Sequence, residues 1–231
     1  MLTKSSIDTS TTHPSVADLS LIDRGGEAGA LRVKRCLDVV LAASALVCFS
    51  LLFGIIALAI LATDRGPVLI RHRRVGRNGV IFPCLKFRTM VVNAETALVR
   101  HLAENPDAMI EWKANHKLKD DPRITPLGRI LRETSLDELP QLVNILRGEM
   151  SLVGPRPIVT EEAVRYGSAF ADYKSVRPGL TGLWQCSGRN DIGYDERVLL
   201  DSRYVRTWSL KQDLLIILRT VPAVIGSRGV Y

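Results

Sequence analysis

At 231 residues the chain has room for one domain with a moderate core but not for two equal ones, and its 46% hydrophobic content suits either a globular or a membrane-attached protein. A formal charge of +7 asks for an anionic partner, which leaves nucleic acid, a phospholipid surface and a phosphorylated substrate open. Cys36, Cys48, Cys84 and Cys186 form no CxxC or Cys/His pattern, which argues for a reducing compartment and against a metal cage of the zinc type.

Residues 1–30 are rich in Ser, Thr and Gly without a sustained apolar period, so composition predicts a disordered tail. Residues 31–63 then form a membrane-embedded helix: the 24 positions from Val39 to Ala62 carry no charge, and about 20 suffice to cross a hydrocarbon core. Arg32, Lys34 and Arg35 precede this run, and Arg65, Arg71, Arg73, Arg74 and Arg77 follow it. Positive residues favour the cytoplasmic side, so a simple crossing breaks the rule at one end, whereas a segment that dips in and returns breaks it at neither. Ser50 and Gly54 lie where such a bend could form.

Residues 64–231 make up the remaining domain. VLIRHRRV, a GRNG turn and VIFPCLKF predict a β-hairpin whose second strand is held at an edge by Pro83. Its four arginines, Arg71, Arg73, Arg74 and Arg77, are expected near anionic headgroups, while Lys86 and Arg88 are candidates for a bound phosphate. From Asn93 to Lys119 the pattern is helical and polar, broken at Asn105-Pro106, and reads as an exposed connector. Asp121-Pro122 and Thr125 to Gly128 read as turns.

The chemistry falls in TSLDELPQLVNILRGEMSLVGPRP, residues 134–157. Leu136, Leu139, Leu142, Val143 and Leu146 recur at helical spacing, with Gly148 as a stop, and Ser135 with Glu138 reads as a capping box. Asp137 and Glu138 then sit in the first turn, off the apolar stripe. Unpaired N–H groups there favour an anion or a phosphoryl group. An ionised Asp can attack phosphorus to give an acyl phosphate, and a neighbouring Glu can hold Mg2+. The same pair could simply complement the helix dipole. Arg132 is near enough to clamp the same phosphate or to form a structural ion pair. Arg156, stiffened by Gly154, Pro155 and Pro157, is a candidate for a phosphate or nucleotide, with a structural turn as the alternative, and Arg177 and Arg189 rise from glycine-rich loops. Ser209 caps a last helix that Pro222 ends; it either lies on the membrane surface or packs as an ordinary C-terminal helix.

KRCLDVVLA, KFRTM, SLDELPQLVNILRGEMSLVGPRP, RPGLTGLWQCSGRND and YVRTWSLKQDLLIILRT, in that order, resemble the bacterial sugar transferases, which are monotopic phosphoglycosyl transferases. HRRVGRNG, GLTGLWQ and the SRGVY ending resemble their ExoY-type exopolysaccharide initiators. The resemblance implies a mostly α fold with a small β-hairpin, a re-entrant N-terminal membrane helix and a compact cytoplasmic catalytic domain with interfacial helices, on the cytoplasmic face of the inner membrane. It implies Asp137 as nucleophile, Glu138 as the Mg2+ ligand, Arg132 in the active site and the Pro155-Arg156-Pro157 motif near the nucleotide. The reaction it implies moves a hexose 1-phosphate, galactose by the ExoY likeness, from a UDP-sugar to polyprenyl phosphate with release of UMP. Further partners would be a second copy of the chain or other polysaccharide-assembly enzymes, and not nucleic acid. Where the family carries Ser-Pro at the membrane break, this chain has Ser50-Leu51. A noncatalytic membrane-tethered scaffold and a nucleic-acid-binding module are the alternatives from other classes.

Overall fold

A computed structural model describes the backbone of residues 16–115, 118–187 and 193–225, and the side chains of 28–113, 118–187 and 193–220. The fold is mostly helical with one antiparallel hairpin, as the sequence predicts, plus a short parallel strand pair that it does not reveal.

Helix α1 (Val16–Cys48) begins well inside the segment assigned to a disordered tail, and only residues 1–15 of that tail lie outside the described residues. Once the apolar part of α1 is nucleated, each residue added upstream gains one hydrogen bond, so helix propagates through a stretch that could not form it alone. Helix α2 (Ser50–Thr63) follows after a break at Phe49, and the two axes differ by 61°. Among the described residues no single helix is long and apolar enough to cross a membrane, but the bent pair is so by length and composition. The bend forms without the proline that the family pattern would supply. Its walls are apolar and open: Val47 and Leu51 are each 76% exposed and Leu58 70%.

Charged groups on α1 fasten this pair to the rest of the chain. Both oxygens of buried Asp38 are used, one accepting from Ser151 Oγ at 2.8 Å and the other from the Leu152 N–H at 3.0 Å. Lys34 Nζ donates to the Val153 carbonyl at 3.1 Å and to Asp213 at 2.7 Å, and Arg35 donates to the carbonyls of Ile145 and Leu146. The last two are C-terminal carbonyls of a later helix, where a cation also complements the dipole.

Strands β1 (Leu69–Val75) and β2 (Ile81–Phe87) pair antiparallel, with Ile70 opposite Lys86 and Arg74 opposite Phe82. The turn between them is tight, Asn78 and Gly79 both having positive φ. The polar connector is two helices, α3 (Ala94–Glu104) and α4 (Pro106–Asn115), broken at Asn105 as the sequence predicts. The Thr125 to Gly128 stretch is a helix start and not a turn. Thr125 Oγ1 accepts from the Gly128 N–H at 2.9 Å, Pro126 takes the first position, and α5 (Pro126–Glu133) follows. A Cβ on Gly128 would lie 2.0 Å from the Thr89 carbonyl oxygen, so the glycine lets α5 dock directly on the chain leaving β2.

Helix α6 (Gln141–Arg147) and strand β3 (Ser151–Val153) come next, then the short helices α7 (Ala163–Tyr166) and α8 (Phe170–Ser175). Strand β4 (Gly179–Thr181) runs parallel to β3, followed by α9 (Leu183–Cys186), α10 (Tyr194–Arg206) and α11 (Leu210–Ile225). Ala42 of α1, Phe82 and Cys84 of β2, and Leu142 and Ile145 of α6 share one core cluster, so α6 lies between α1 and the β-hairpin. Buried Asn144 fixes that junction: its Oδ1 accepts from the Leu85 N–H at 2.9 Å and its Nδ2 donates to the Pro83 carbonyl at 2.8 Å. At α11 the Ser209 cap is present, Oγ accepting from the Gln212 N–H, but the helix runs past Pro222 to Ile225. A proline this near a C-terminus removes one bond to a carbonyl a turn back and leaves only a short stretch to end. Ile216 and Asp213 of α11 are buried while Leu214, Leu215 and Leu218 are exposed, so the helix is docked on one side and apolar on the other.

Candidate active site

The acidic pair reaches its place by a backbone reversal. After α5, Ser135 adopts a left-handed conformation (φ 57°), and Leu136–Glu138 form a single 3-10 turn before Pro140 starts α6. The predicted capping box is therefore absent, because left-handed Ser135 does not turn its hydroxyl onto the following N–H groups. Asp137 and Glu138 lie one short turn upstream of the α-helix, and Asp137 is buried.

Lys86 on β2 meets both carboxylates, with Nζ 2.7 Å from Glu138 Oε1 and 3.3 Å from Asp137 Oδ2. Arg156 Nη2 approaches the same Glu138 oxygen at 3.7 Å. Arg132 donates through Nε to Thr89 Oγ1 at 2.9 Å and lends its charge to Asp137. A narrow cleft beside Glu138 is lined by Arg74, Cys84, Lys86, Gln141, Arg156, Pro157, Gly179, Leu180 and Gln185, and Asp137 lies next to Glu138 without lining it. Pro155 is fully buried, and its carbonyl accepts from the Gly179 N–H, which holds the Pro155-Arg156-Pro157 segment against β4.

The two carboxyls are pushed apart. Burial raises Asp137, Lys86 opposes it, Glu138 adds to the rise, and the net shift is upward. Burial also acts to raise Glu138, but Lys86 and Arg156 outweigh it and hold that carboxyl at about 2. Glu138 is thus firmly ionised and Asp137 is a desolvated, more basic carboxyl beside it. On the same hairpin face His72 is lowered by burial and by Arg74, Lys86 and Arg132, so it is neutral at pH 7.

Lys86, Arg132, Arg156, Pro155 and Pro157 therefore come together around Asp137 and Glu138. Arg88 does not: it is buried, with its guanidinium on Asp64, the C-terminal cap of α2. Lys86 and Arg88 would share a face of a longer strand, but β2 ends at Phe87 and the alternation stops. Arg177 donates to the Gly148 carbonyl at 2.8 Å, just past the C-terminus of α6 and so at the far end of that helix from the acidic pair. The chain just after it contributes Gly179 and Leu180 to the cleft, but Arg177 does not line it. Arg189 lies outside the described residues.

Arg74 is the residue the sequence misassigns, for it lines the cleft, 3.9 Å from Glu162. Counting back across the hairpin would have found it, since Arg74 faces Phe82 and Phe82 shares a strand face with Lys86. Gln141 and Gln185 carried no local signal. Their place depends on contacts between distant elements.

A buried carboxylate, a second, ionised carboxylate beside it and converging cations suit phosphoryl chemistry on an anionic substrate. The chain belongs to the bacterial sugar transferase family, whose sequence profile matches residues 29–227. It is 52% identical over 210 residues to the exopolysaccharide production protein ExoY of Rhizobium meliloti (strain 1021), covering 89% of this chain and 93% of that protein. It is 54% identical over 168 residues to the undecaprenyl-phosphate galactose phosphotransferase of Salmonella typhimurium, covering 73% of this chain and 35% of that longer protein. With the UDP-glucose:undecaprenyl-phosphate glucose-1-phosphate transferase of Caulobacter vibrioides the identity is 42% over 207 residues, 86% of this chain and 72% of the relative. The chain is a transferase, and the scaffold and nucleic-acid alternatives fall away.

Proposed function

We propose that the chain transfers galactose 1-phosphate from UDP-galactose to polyprenyl phosphate through a covalent Asp137 intermediate, as the first step of exopolysaccharide assembly. The observation that carries this reading is the convergence of Lys86 and Arg156 on an acidic pair of which one member is buried and the other ionised. The names of the ExoY and galactose phosphotransferase relatives favour galactose.

In the first half-reaction an Asp137 oxygen bonds to the β-phosphorus as the bond from that phosphorus to the bridging oxygen breaks, and UMP departs with the electron pair. In the second, an oxygen of polyprenyl phosphate bonds to the same phosphorus, the bond to Asp137 breaks, and the carboxylate is restored. Lys86 and Arg156 stabilise the charge gathering on the phosphoryl oxygens, and Arg132 supports Asp137 from its other side. Glu138 would hold Mg2+. Its carboxylate already attracts two cations, and no group of three or more His, Cys, Asp or Glu surrounds it among the described residues. That donor set fits a hard ion that takes one or two carboxylates and completes its shell with water and substrate phosphate. Bound there, the ion would neutralise phosphate oxygens.

Supplying the purified protein with polyprenyl phosphate and a panel of UDP-sugars, and measuring UMP, tests the proposal. UDP-galactose is expected to give the fastest release. UMP from no UDP-hexose would overturn the transfer reaction, while a preference for UDP-glucose would overturn only the sugar.

The α1–α2 pair is proposed to dip into the cytoplasmic leaflet of the inner membrane and return, with the apolar side of α11 resting on the surface. The 61° break at Phe49, the exposed Val47, Leu51 and Leu58, and the cations on both flanks support this. Single-cysteine labelling of intact spheroplasts is expected to leave probes in the N-terminal tail and in α3 equally protected. A tail probe that reacts from outside would mean that the pair crosses.

A further inference from the structure

Two guanidiniums that line the cleft, those of Arg74 and Arg156, make no hydrogen bond among the described residues, although their side chains are only 22% and 39% exposed. A guanidinium carries five donors in a planar fork that fits a carboxylate or a phosphate. The carboxylate beside Arg74 is Glu162, and at 3.9 Å it is too far for a hydrogen bond. It is also occupied: one Glu162 oxygen accepts from the Val159 N–H at 3.0 Å and the other faces Arg197 at 3.7 Å. Arg74 is nonetheless held firmly in place. The next residue, Val75, donates its N–H to the Ile158 carbonyl at 2.9 Å, and the buried Tyr173 hydroxyl donates to the Val75 carbonyl at 2.6 Å. The end of β1 is thereby pinned two residues past Arg156.

The hairpin also orders the cations of the cleft. Lys86 pairs with Ile70 next to Phe87, whose ring shares a core cluster with Leu136 of the 3-10 turn, whereas Arg74 pairs with Phe82 at the other end of the hairpin. Lys86 touches both carboxylates, Arg156 reaches only Glu138, and Arg74 reaches neither. Moving away from Asp137 one therefore meets Lys86, then Arg156, then Arg74. Arg74, Lys86 and Arg156 face one carboxylate of the cleft lining, Glu138, which leaves two positive charges in excess. Asp137, when ionised, is matched by Arg132 behind it. A nucleotide sugar carries two negative charges, one on each phosphate of its diphosphate.

We propose that Arg74 is a ligand of the leaving phosphate, the α-phosphate of the UDP-sugar and, after cleavage, the phosphate of UMP. The proposal rests on the reading above that the donor is a UDP-sugar. With the β-phosphorus between Asp137 and Lys86, the α-phosphate extends toward Arg156 and Arg74. In the first half-reaction the bond from the β-phosphorus to the bridging oxygen breaks and its electron pair stays on that oxygen, so the α-phosphate gains a negative charge as UMP forms. Arg74 is placed to take that charge, while Lys86 serves the phosphoryl group that stays on Asp137.

The test compares full-length wild type with Arg74→Gln, Arg74→Lys and Glu162→Gln, measuring affinity for UMP and for uridine by calorimetry and the single-turnover release of UMP from UDP-sugar and Mg2+ without acceptor. Wild type is expected to bind UMP more tightly than uridine. Arg74→Gln should weaken UMP by roughly 10- to 100-fold, the worth of a hydrogen bond between charged groups, leave uridine unchanged, and slow UMP release. Arg74→Lys, which keeps the charge without the fork, should fall between. Glu162→Gln removes the charge beside Arg74 but keeps an oxygen for the Val159 N–H, and should hold the wild-type ratio of UMP to uridine affinity. A loss of structure weakens both ligands and leaves their ratio, so misfolding cannot imitate the expected result. An unmoved ratio in Arg74→Gln, or the same fall in Glu162→Gln as in Arg74→Gln, would overturn the proposal, the second because it would reduce Arg74 to a structural partner of Glu162. A wild type that releases UMP from a UDP-sugar yet fails this test loses only the Arg74 site, whereas one that releases none loses the parent reading.

Discussion

Asp137→Asn is expected to lower turnover by roughly 10^3-fold or more, the scale on which loss of a covalent nucleophile acts. The amide is nearly isosteric and keeps the 3-10 turn, so the fold should persist while the attacking oxygen is lost. Without an acceptor, wild type given UDP-sugar and Mg2+ should release about one UMP per active site and gain the mass of a hexose phosphate, because the intermediate has no second substrate. The asparagine variant should show neither signal. Glu138→Gln, in contrast, should shift the Mg2+ dependence, since a neutral amide is a poorer ligand for a hard cation. A preparation that turns over with acceptor, yet gives no UMP and no adduct without it, would establish direct attack by the lipid phosphate and leave Asp137 as a base or ligand.

Removing the ammonium group of Lys86 should have the next largest effect. Lys86→Met is expected to cost roughly 10^2- to 10^3-fold in kcat, comparable to deleting one preorganised donor from a transition-state site. The pH dependence gives a sharper readout. Burial raises Asp137 and Lys86 opposes that rise. Activity needs Asp137 ionised and is lost as pH falls through its pKa, so without Lys86 the pKa climbs and the acid limb of the rate profile moves to higher pH. In wild type Glu138, held at about 2 by Lys86 and Arg156, is too acidic to be the group titrating there, and in Lys86→Met the same test in a Glu138→Gln background assigns the limb to Asp137. Lys86→Arg should keep the acid limb close to its wild-type position. An unmoved limb in Lys86→Met would show that the ammonium does not act on Asp137.

Much of this site could be read from local sequence because the groups lie on or beside regular elements. The apolar period placed α6 and the acidic pair at its start, although the pair lies on a 3-10 turn just ahead of the helix and not in its first turn. Alternating residues with a turn between them gave the hairpin and hence Lys86. What escaped were features decided by contacts between distant segments. Left-handed Ser135 replaced a capping box that the local letters support well. Arg88 and Arg177 resemble phosphate ligands by spacing, yet one answers to Asp64 and the other to the Gly148 carbonyl. The parallel pairing of β3 with β4 joins residues 28 apart, Ser151 with Gly179, through tripeptides too short to announce themselves as strands.

Asp38, Lys34 and Arg35 bind α1 to β3, α11 and the end of α6, and those attachments set an elevation. With the apolar pair sunk in a leaflet, Asp137 cannot rise or sink independently of it, because α6 is clamped at one end and carries the 3-10 turn at the other. On the proposed membrane reading the protein would act as a depth gauge: it would select an acceptor by how far its phosphate stands above the hydrocarbon, leaving the length of the buried chain beneath unread.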